Sequence, residues 1–352
     1  MALSFETLRD LLDHGYDTVI DVRSPAEYAE DHIPGAINLP VLDNEERARV
    51  GTIYKQQSPF LARKLGAALV FRNAAAHVEG PLAHHDGAWR PLVYCWRGGQ
   101  RSGSMTWMLQ QIGWRAEVIA GGYRTYRRLV HDILYDTPLP HRLILLDGYT
   151  GTAKTEILHH LAGLGTQVLD LEGLANHRGS LLGSMGDQPS QKAFESAVAA
   201  QLARLDPARP VVVEAESSKI GARIVPPQLW AAMIAAPRIE VTAPITARTA
   251  YLTRAYADVL ADAPRLRRNL APLVAHRGHE VVDRWMALID ADARADLTRA
   301  LMEDHYDPAY AKSRKVIGAG LLAQVQAESL DEDGIARVAR AVAETVDQAR
   351  VT

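Results

Sequence analysis

Cysteine is nearly missing from this chain: Cys95 is the only one in 352 residues. That excludes an intrachain disulfide, predicts a reducing, cytoplasmic setting, and leaves one free thiol with either a packing role or a chemical one. No apolar run reaches the roughly 18 residues that a membrane-spanning helix needs. Residues 1–6 carry neither the basic region nor the apolar stretch of a secretory leader. The expectation is a soluble protein with no membrane association. Positive charge is not in excess either, since 39 Lys and Arg against 42 Asp and Glu give a net charge of −3. A uniformly basic nucleic-acid binder is thereby disfavoured, while local clusters such as Arg124, Arg127 and Arg128, or Arg265, Arg267 and Arg268, still offer phosphate contacts. Internal repeats and low-complexity tracts are absent.

What is present is core-forming material: 47% of the residues are hydrophobic, more than one core usually holds at this length, so two domains are expected. The first, over residues 1–135, alternates short strands (18–22, 36–39, 91–94) with helices (from Ser24, and over 104–112), an α/β pattern. Residues 44–73 read as charged and helical and 77–90 as an exposed excursion, together an insertion. Pro138 and Pro140 break the helix that precedes them and mark the boundary. The second domain, 141–352, has strands at 143–146, 168–171, 211–213 and 239–241 between helices, as in a parallel sheet covered on both faces. From about residue 247 the chain is nearly all helical by period.

Cys95 closes the apolar strand 92–94 and is followed by Trp96-Arg97-Gly98-Gly99-Gln100-Arg101-Ser102. Glycines let successive backbone N–H groups turn inward, and the next helix aims its positive end at the same point. Arg97 and Arg101 add positive charge. A thiol so placed should lose its proton more readily than a free cysteine and serve as a catalytic carrier of sulfur or selenium.

The second strand of this kind, 143–146, leads into Gly148-Tyr149-Thr150-Gly151-Thr152-Ala153-Lys154-Thr155 and then a helix. A tight strand-to-helix turn aims amides at a phosphate, with Gly148, Gly151, Thr152 and Lys154 as the cradle and Thr155 facing a magnesium ion. Ala153 stands where the Walker pattern has Gly, which makes anion binding a firmer expectation than nucleotide hydrolysis. Asp170 and Glu172 follow one strand and Glu214 and Glu216 another; either pair is a candidate for directing a metal. His177 and Arg178, in Asn176-His177-Arg178-Gly179-Ser180, offer further contacts to phosphate or ribose. For RNA the candidates are Trp96, Trp114 and Tyr123 as stacking partners and Arg248, Arg254, Arg265, Arg267 and Arg268 as an electrostatic face.

The cysteine loop, together with Asp21-Val22-Arg23-Ser24-Pro25-Ala26-Glu27-Tyr28 and His32-Ile33-Pro34-Gly35-Ala36-Ile37-Asn38, resembles the rhodanese family, with Asp31 standing where that family usually has Gly. Rhodanese-like and P-loop halves in one chain, with Gly51-Thr52-Ile53-Tyr54-Lys55-Gln56, the segments around 170–180 and 213–221, and His305-Tyr306-Asp307-Pro308-Ala309-Tyr310, are similar to the tRNA 2-selenouridine synthase family from about residue 15 to 315. The resemblance implies a tRNA substrate carrying wobble 2-thiouridine, whose sulfur is replaced by selenium from selenophosphate. It also implies geranylation of that sulfur from geranyl diphosphate and an enzyme that supplies the selenophosphate. Two other readings compete: a rhodanese-type sulfurtransferase with a regulatory nucleotide-binding P-loop domain, and a P-loop kinase whose rhodanese-like half only binds a partner.

Overall fold

The computed structural model describes residues 2–313 and 320–349. It divides into two compact units, one comprising the chain up to Thr137 together with Pro189–Arg204, the other Pro138–Gln188 and the chain from Leu205 onward. Residues 189–204 thus lie within the second half of the sequence and belong to the first unit.

The first unit is built on five parallel strands: β1 (Ala2–Leu3), β2 (Thr18–Asp21), β3 (Ile37–Asn38), β4 (Pro91–Tyr94) and β5 (Glu117–Ile119), in the order β1-β5-β4-β2-β3. Strand β4 is apolar and buried along its whole length because it is central and covered on both faces. Its partners are in register, Asp21 opposite Tyr94 and Val93 opposite Val118. Helix Gln100–Ile112 follows β4 and stops at Gly113, whose φ of +108° suits a residue without Cβ. The core gathers Ile20, Val22, Leu69, Val93, Met105 and Leu109 with Cys95 itself.

Between β3 and β4 the inserted residues form a helical hairpin, Asn44–Gln56 and Pro59–Glu79. The first helix starts at Asp43 with a reciprocal cap to Glu46, and the second at Ser58 with Pro59 in its first turn. The segment 77–90 is less exposed than its composition predicts: Leu82 and Trp89 are buried, and Trp89 donates to Thr18 Oγ1 at 3.0 Å. Helix Gln191–Arg204 completes this unit by burying Phe194, Val198, Ala199 and Leu202. Glu195 accepts from Arg127 at 2.6 Å and from Tyr135 at 2.8 Å, and Ser196 donates to Asp31 at 2.9 Å.

The second unit has five parallel strands, β6 (Leu143–Asp147), β7 (Gln167–Leu169), β8 (Val211–Glu214), β11 (Arg238–Thr242) and β12 (Leu321–Gln326), in the order β12-β11-β6-β8-β7, plus a short antiparallel pair, β9 (Lys219–Ile220) and β10 (Arg223–Ile224). Again the central strand, β6, is wholly buried. Ile157, Leu158 and Leu161 of helix Lys154–Gly163 and Ile335, Val338 and Val342 of helix Glu332–Gln348 pack in its core. One expectation is corrected. Leu171 opens a helical turn rather than ending a strand, because Asp170 caps it by accepting from Gly173 N at 2.7 Å. The late region is nearly all helical as expected, and its one described strand, β12, pairs in parallel with β11 at the sheet edge. No described helix is long and apolar enough to cross a membrane.

Candidate functional site

In the first unit Cys95 lies at the carboxyl end of the central strand, the position where open parallel sheets present ligands. The loop after it is closed by backbone bonds, Tyr123 N to Cys95 O at 2.8 Å and Arg124 N to Trp96 O at 3.1 Å. Gly98 has φ +62°, and a Cβ there would sit 2.6 Å from the carbonyl of Ile119, so this turn requires glycine. The thiol is only 3% exposed. Its surroundings are not purely apolar, because the Ser102 hydroxyl lies 3.2 Å from Sγ. Burial pushes the thiol up; hydrogen bonds from the Ser102 hydroxyl and amide, the Arg101 charge and the Arg97 amide outweigh it and hold Cys95 below its ordinary value.

The two arginines expected to supply charge differ. Arg97 is exposed and acts on the sulfur through its backbone N–H. Arg101 is paired with Glu27 at 2.8 Å, so part of its charge is already neutralised. Asp21 and Arg23 form a buried ion pair of 2.6 Å, with the guanidinium stacked 3.9 Å from the Tyr123 ring and donating to Asp31 O. They brace the strand ends beside the loop. Asp31 is itself buried, accepting from Tyr123 and Ser196. Tyr123 and Trp114 are buried and cannot stack on a base as expected; Trp96 is half-buried, 5.2 Å from the Tyr123 ring.

In the second unit the turn from β6 into helix Lys154–Gly163 forms a nest over a cavity of about 610 Å³, lined by Gly151 to Glu156 among others. The opening amides of that helix have no intrahelical acceptor and aim at the nest. Ala153 adopts φ +60°, the left-handed conformation that the usual glycine takes freely, and its methyl is buried in the core. The alanine is therefore accommodated without flattening the nest. Gly148 has no such latitude, since a Cβ would meet Thr152 Oγ1 at 2.5 Å and Val241 O at 2.7 Å.

Lys154 Nζ donates to Gly148 O at 2.9 Å and lies 5.4 Å from the Tyr310 ring. The Thr152 hydroxyl and amide both donate to Tyr149 O, at 2.9 and 3.2 Å, which closes the turn on itself. The Thr155 hydroxyl donates to Glu172 Oε2 at 2.8 Å. Two residues that the sequence does not single out for this loop, Arg248 and Asp147, hold it from behind. Arg248, buried, donates twice to Thr150 O (2.9 and 2.7 Å) and twice to the Asp307 carboxylate (3.0 and 2.6 Å). Asp147 accepts from Gly148 N at 2.8 Å and from the Tyr310 hydroxyl at 2.6 Å.

The four acidic candidates separate. Glu172 and Glu216 reach the cavity beside Thr155, with Gly179 lying against both carboxylates. Burial and the adjacent Glu172 charge push Glu216 up to about 8, while the Lys154 ammonium opposes the change. Asp170 also lines the cavity, but as the cap of its helical turn and 2.9 Å from His159. Glu214 is fully buried behind the wall, where it accepts from Glu172 N at 2.7 Å; burial and the nearby carboxylates push it well above the ordinary carboxylate range. Arg178 lines the cavity, 4.8 Å from the Tyr256 ring and 3.5 Å from Asp258. His177 instead accepts from Gly179 N and pairs with Ser184 in a short bridge, shaping the loop. Burial lowers its pKa. Among the described residues the one group of three ligands within reach of a single ion is His131, Asp132 and Asp136, in the other unit.

The late arginines differ in their settings. Arg248 is inside, Arg254 donates to Leu330 O, Arg265 to Ser184 O, and Arg267 pairs with Asp290; Arg268 is exposed.

Comparison with known proteins gives matches to both halves. Residues 4–129 match the rhodanese-like domain and residues 141–271 the tRNA 2-selenouridine synthase AAA domain. The tRNA 2-selenouridine synthase of Cupriavidus pinatubonensis is 32% identical over 328 residues, covering 83% of this chain and 87% of that one. That of Nitrosomonas europaea is 34% identical over 267 residues, covering 73% and 68%. Among solved structures, a rhodanese-related protein from Thermoplasma volcanium is 19% identical over 36% of this chain and 90% of that one, with a TM-score of 0.23.

Proposed function

The chain belongs to the tRNA 2-selenouridine synthase family, and from that premise we propose that it converts wobble 2-thiouridine in tRNA to 2-selenouridine, with geranylation of the sulfur as the intermediate step. The observation that carries the prenyl half is the two-sided cavity. Its floor is the phosphate loop with Lys154, and its walls include Leu181, Met185, Leu252 and Tyr256. A diphosphate with a hydrocarbon chain fits both sides, and the volume lies in the range of small-molecule sites.

In the first step the thiocarbonyl sulfur attacks the carbon bearing the diphosphate of geranyl diphosphate. The C–O bond breaks and its electron pair leaves on the diphosphate, whose charge the loop amides and Lys154 stabilise. Magnesium fits this site. Thr155 Oγ1 and Glu172 Oε2 are hard oxygen donors 2.8 Å apart, with Glu216 alongside, and the diphosphate and water would complete the coordination. When bound, the ion would supply further charge neutralisation for the leaving group.

Alkylation turns the sulfur into a leaving group. In the second step the selenium of selenophosphate adds at the base carbon, the C–S bond breaks, and geranylthiolate departs with the electron pair and takes up a proton; water then cleaves the Se–P bond, releasing inorganic phosphate and leaving the selenium on the base. Cys95, with its lowered pKa, serves this selenation half, and an enzyme supplying selenophosphate is the partner the scheme requires. The test is mass analysis of wobble nucleosides after incubating the protein with thiolated tRNA, geranyl diphosphate and selenophosphate. Geranylated and selenated uridine are expected in succession, and Cys95→Ala should arrest at the geranylated base. Appearance of neither product refutes the assignment; normal selenation by Cys95→Ala refutes the division of labour.

A further inference from the structure

We propose that the tip of the helical hairpin formed by Asn44–Gln56 and Pro59–Glu79 is an RNA-binding face that grips phosphates and stacks an unpaired base; this deepens, and rests on, the reading of tRNA as substrate. In a chain of net charge −3, residues 47–78 hold Arg47, Arg49, Lys55, Arg63, Lys64 and Arg72 and no acidic residue at all. Two of these cations are engaged, Arg47 with Glu27 at 3.8 Å and Arg72 with Glu46 at 2.6 Å. The other four are exposed and have no acidic partner among the described residues.

Aromatic rings lie among them. Phe60 is 66% exposed and Tyr54 56%, an unusual cost for side chains whose burial is ordinarily favourable. Phe60, Arg63 and Lys64 stand at i, i+3 and i+4 and so share one face of the second helix, while Tyr54 and Lys55 lie in the last turn of the first. Cations interleaved with exposed rings are what a single-stranded RNA loop needs: charge for its backbone and a flat surface for an extruded base. The arginine groups at 124–128 and 265–268 fit less well. Each loses a member to an internal pair, Arg127 to Glu195 and Arg267 to Asp290, and neither includes an exposed ring among the described residues. The hairpin also leads toward the thiol loop, because Glu27 bridges Arg47 to Arg101.

The experiment measures binding of a tRNA carrying wobble 2-thiouridine to the full chain across a range of salt concentrations. Replacing Arg49, Lys55, Arg63 and Lys64 together by Gln should flatten the slope of log affinity against log salt by about 3. Tyr54→Ala or Phe60→Ala should weaken binding roughly tenfold with the slope unchanged. Lys55→Arg with Lys64→Arg should restore wild-type binding, which separates charge from folding. If the wild-type protein binds the RNA and the Gln and Ala variants bind it equally with the same slope, this face is not the RNA site and fits a protein partner instead. Absence of salt-dependent binding by the wild-type protein would overturn the tRNA reading itself.

Discussion

Replacing Ser102 by Ala removes one oxygen and tests the thiol cradle directly. The Ser102 hydroxyl is fully buried and lies 3.2 Å from Cys95 Sγ and 3.3 Å from Gly99 O, so one proton serves either acceptor. When the sulfur ionises, the charged acceptor wins it. A hydrogen bond to a charged group contributes roughly 1.5–3 kcal/mol, and 1.36 kcal/mol is a factor of ten. The variant should therefore lose about tenfold in thiolate fraction at neutral pH. Because Cys95 is the chain's only cysteine, alkylation by iodoacetamide followed across pH by mass spectrometry reads this one group. The midpoint should move upward in Ser102→Ala. Arg101→Gln should move it the same way but less, since Glu27 already neutralises part of that charge. Glu27→Gln should move it downward, by releasing Arg101 to the sulfur. A Ser102→Ala midpoint indistinguishable from wild type, or a Glu27→Gln midpoint that rises, would show that something other than this hydroxyl and this ion pair sets the thiol.

Three further outcomes are expected. Arg248→Met removes a buried guanidinium that holds Thr150 O and Asp307; breaking such a pair costs about 3–5 kcal/mol, which calorimetry should show as a fall in melting temperature of roughly 10 °C, with Arg248→Lys intermediate and weaker pyrophosphate binding in both. Gly148→Ala forces a methyl against Thr152 and Val241, so pyrophosphate titration should detect little or no binding, whereas Ala153→Gly should bind as well as wild type. Glu216 is raised to about 8 from the ordinary 4.5, so its contribution to stability is fully present below the carboxylate range and is lost as pH rises through about 8. Urea unfolding across that interval should show the decline, and Glu216→Gln should flatten it.

Strands of the central kind were the most readable part of the fold. The runs at 92–94 and 143–146 are apolar throughout, which only a strand covered on both faces tolerates, and both prove central. Strand β12 was hidden because Leu321 and Leu322 are exposed at a sheet edge and Gln324 and Gln326 dilute the pattern. The strand is held by pairing with β11, a contact far away in sequence. Nothing local in the sequence marks helix Gln191–Arg204 as a member of the first unit. That membership depends on Glu195 and Ser196 finding Arg127, Tyr135 and Asp31, partners about 60 to 165 positions distant.

The two loops were legible for a different reason: a strand, a glycine turn and a helix start are all local, so the backbone cradle is specified within about ten residues. Ser102 lies within that span, seven positions after Cys95, but a hydroxyl does not stand out in the sequence as a charge does. The counter-charges that flank each cradle are not local. Arg101 looked free because Glu27 lies 74 residues earlier, and Arg248 looked like a surface cation because Thr150 lies 98 residues before it. In each case the sequence shows a charged group, while its worth to the site depends on whether the fold supplies a counter-charge. That is why Asp170, Glu172, Glu214 and Glu216 were equivalent as letters and unequal in place: Glu214 faces the backbone of Glu172 from inside the wall, and Glu216 faces Lys154 across the cavity. Substituting Glu214 by Gln should accordingly disturb stability more than ligand binding, and substituting Glu216 should do the reverse.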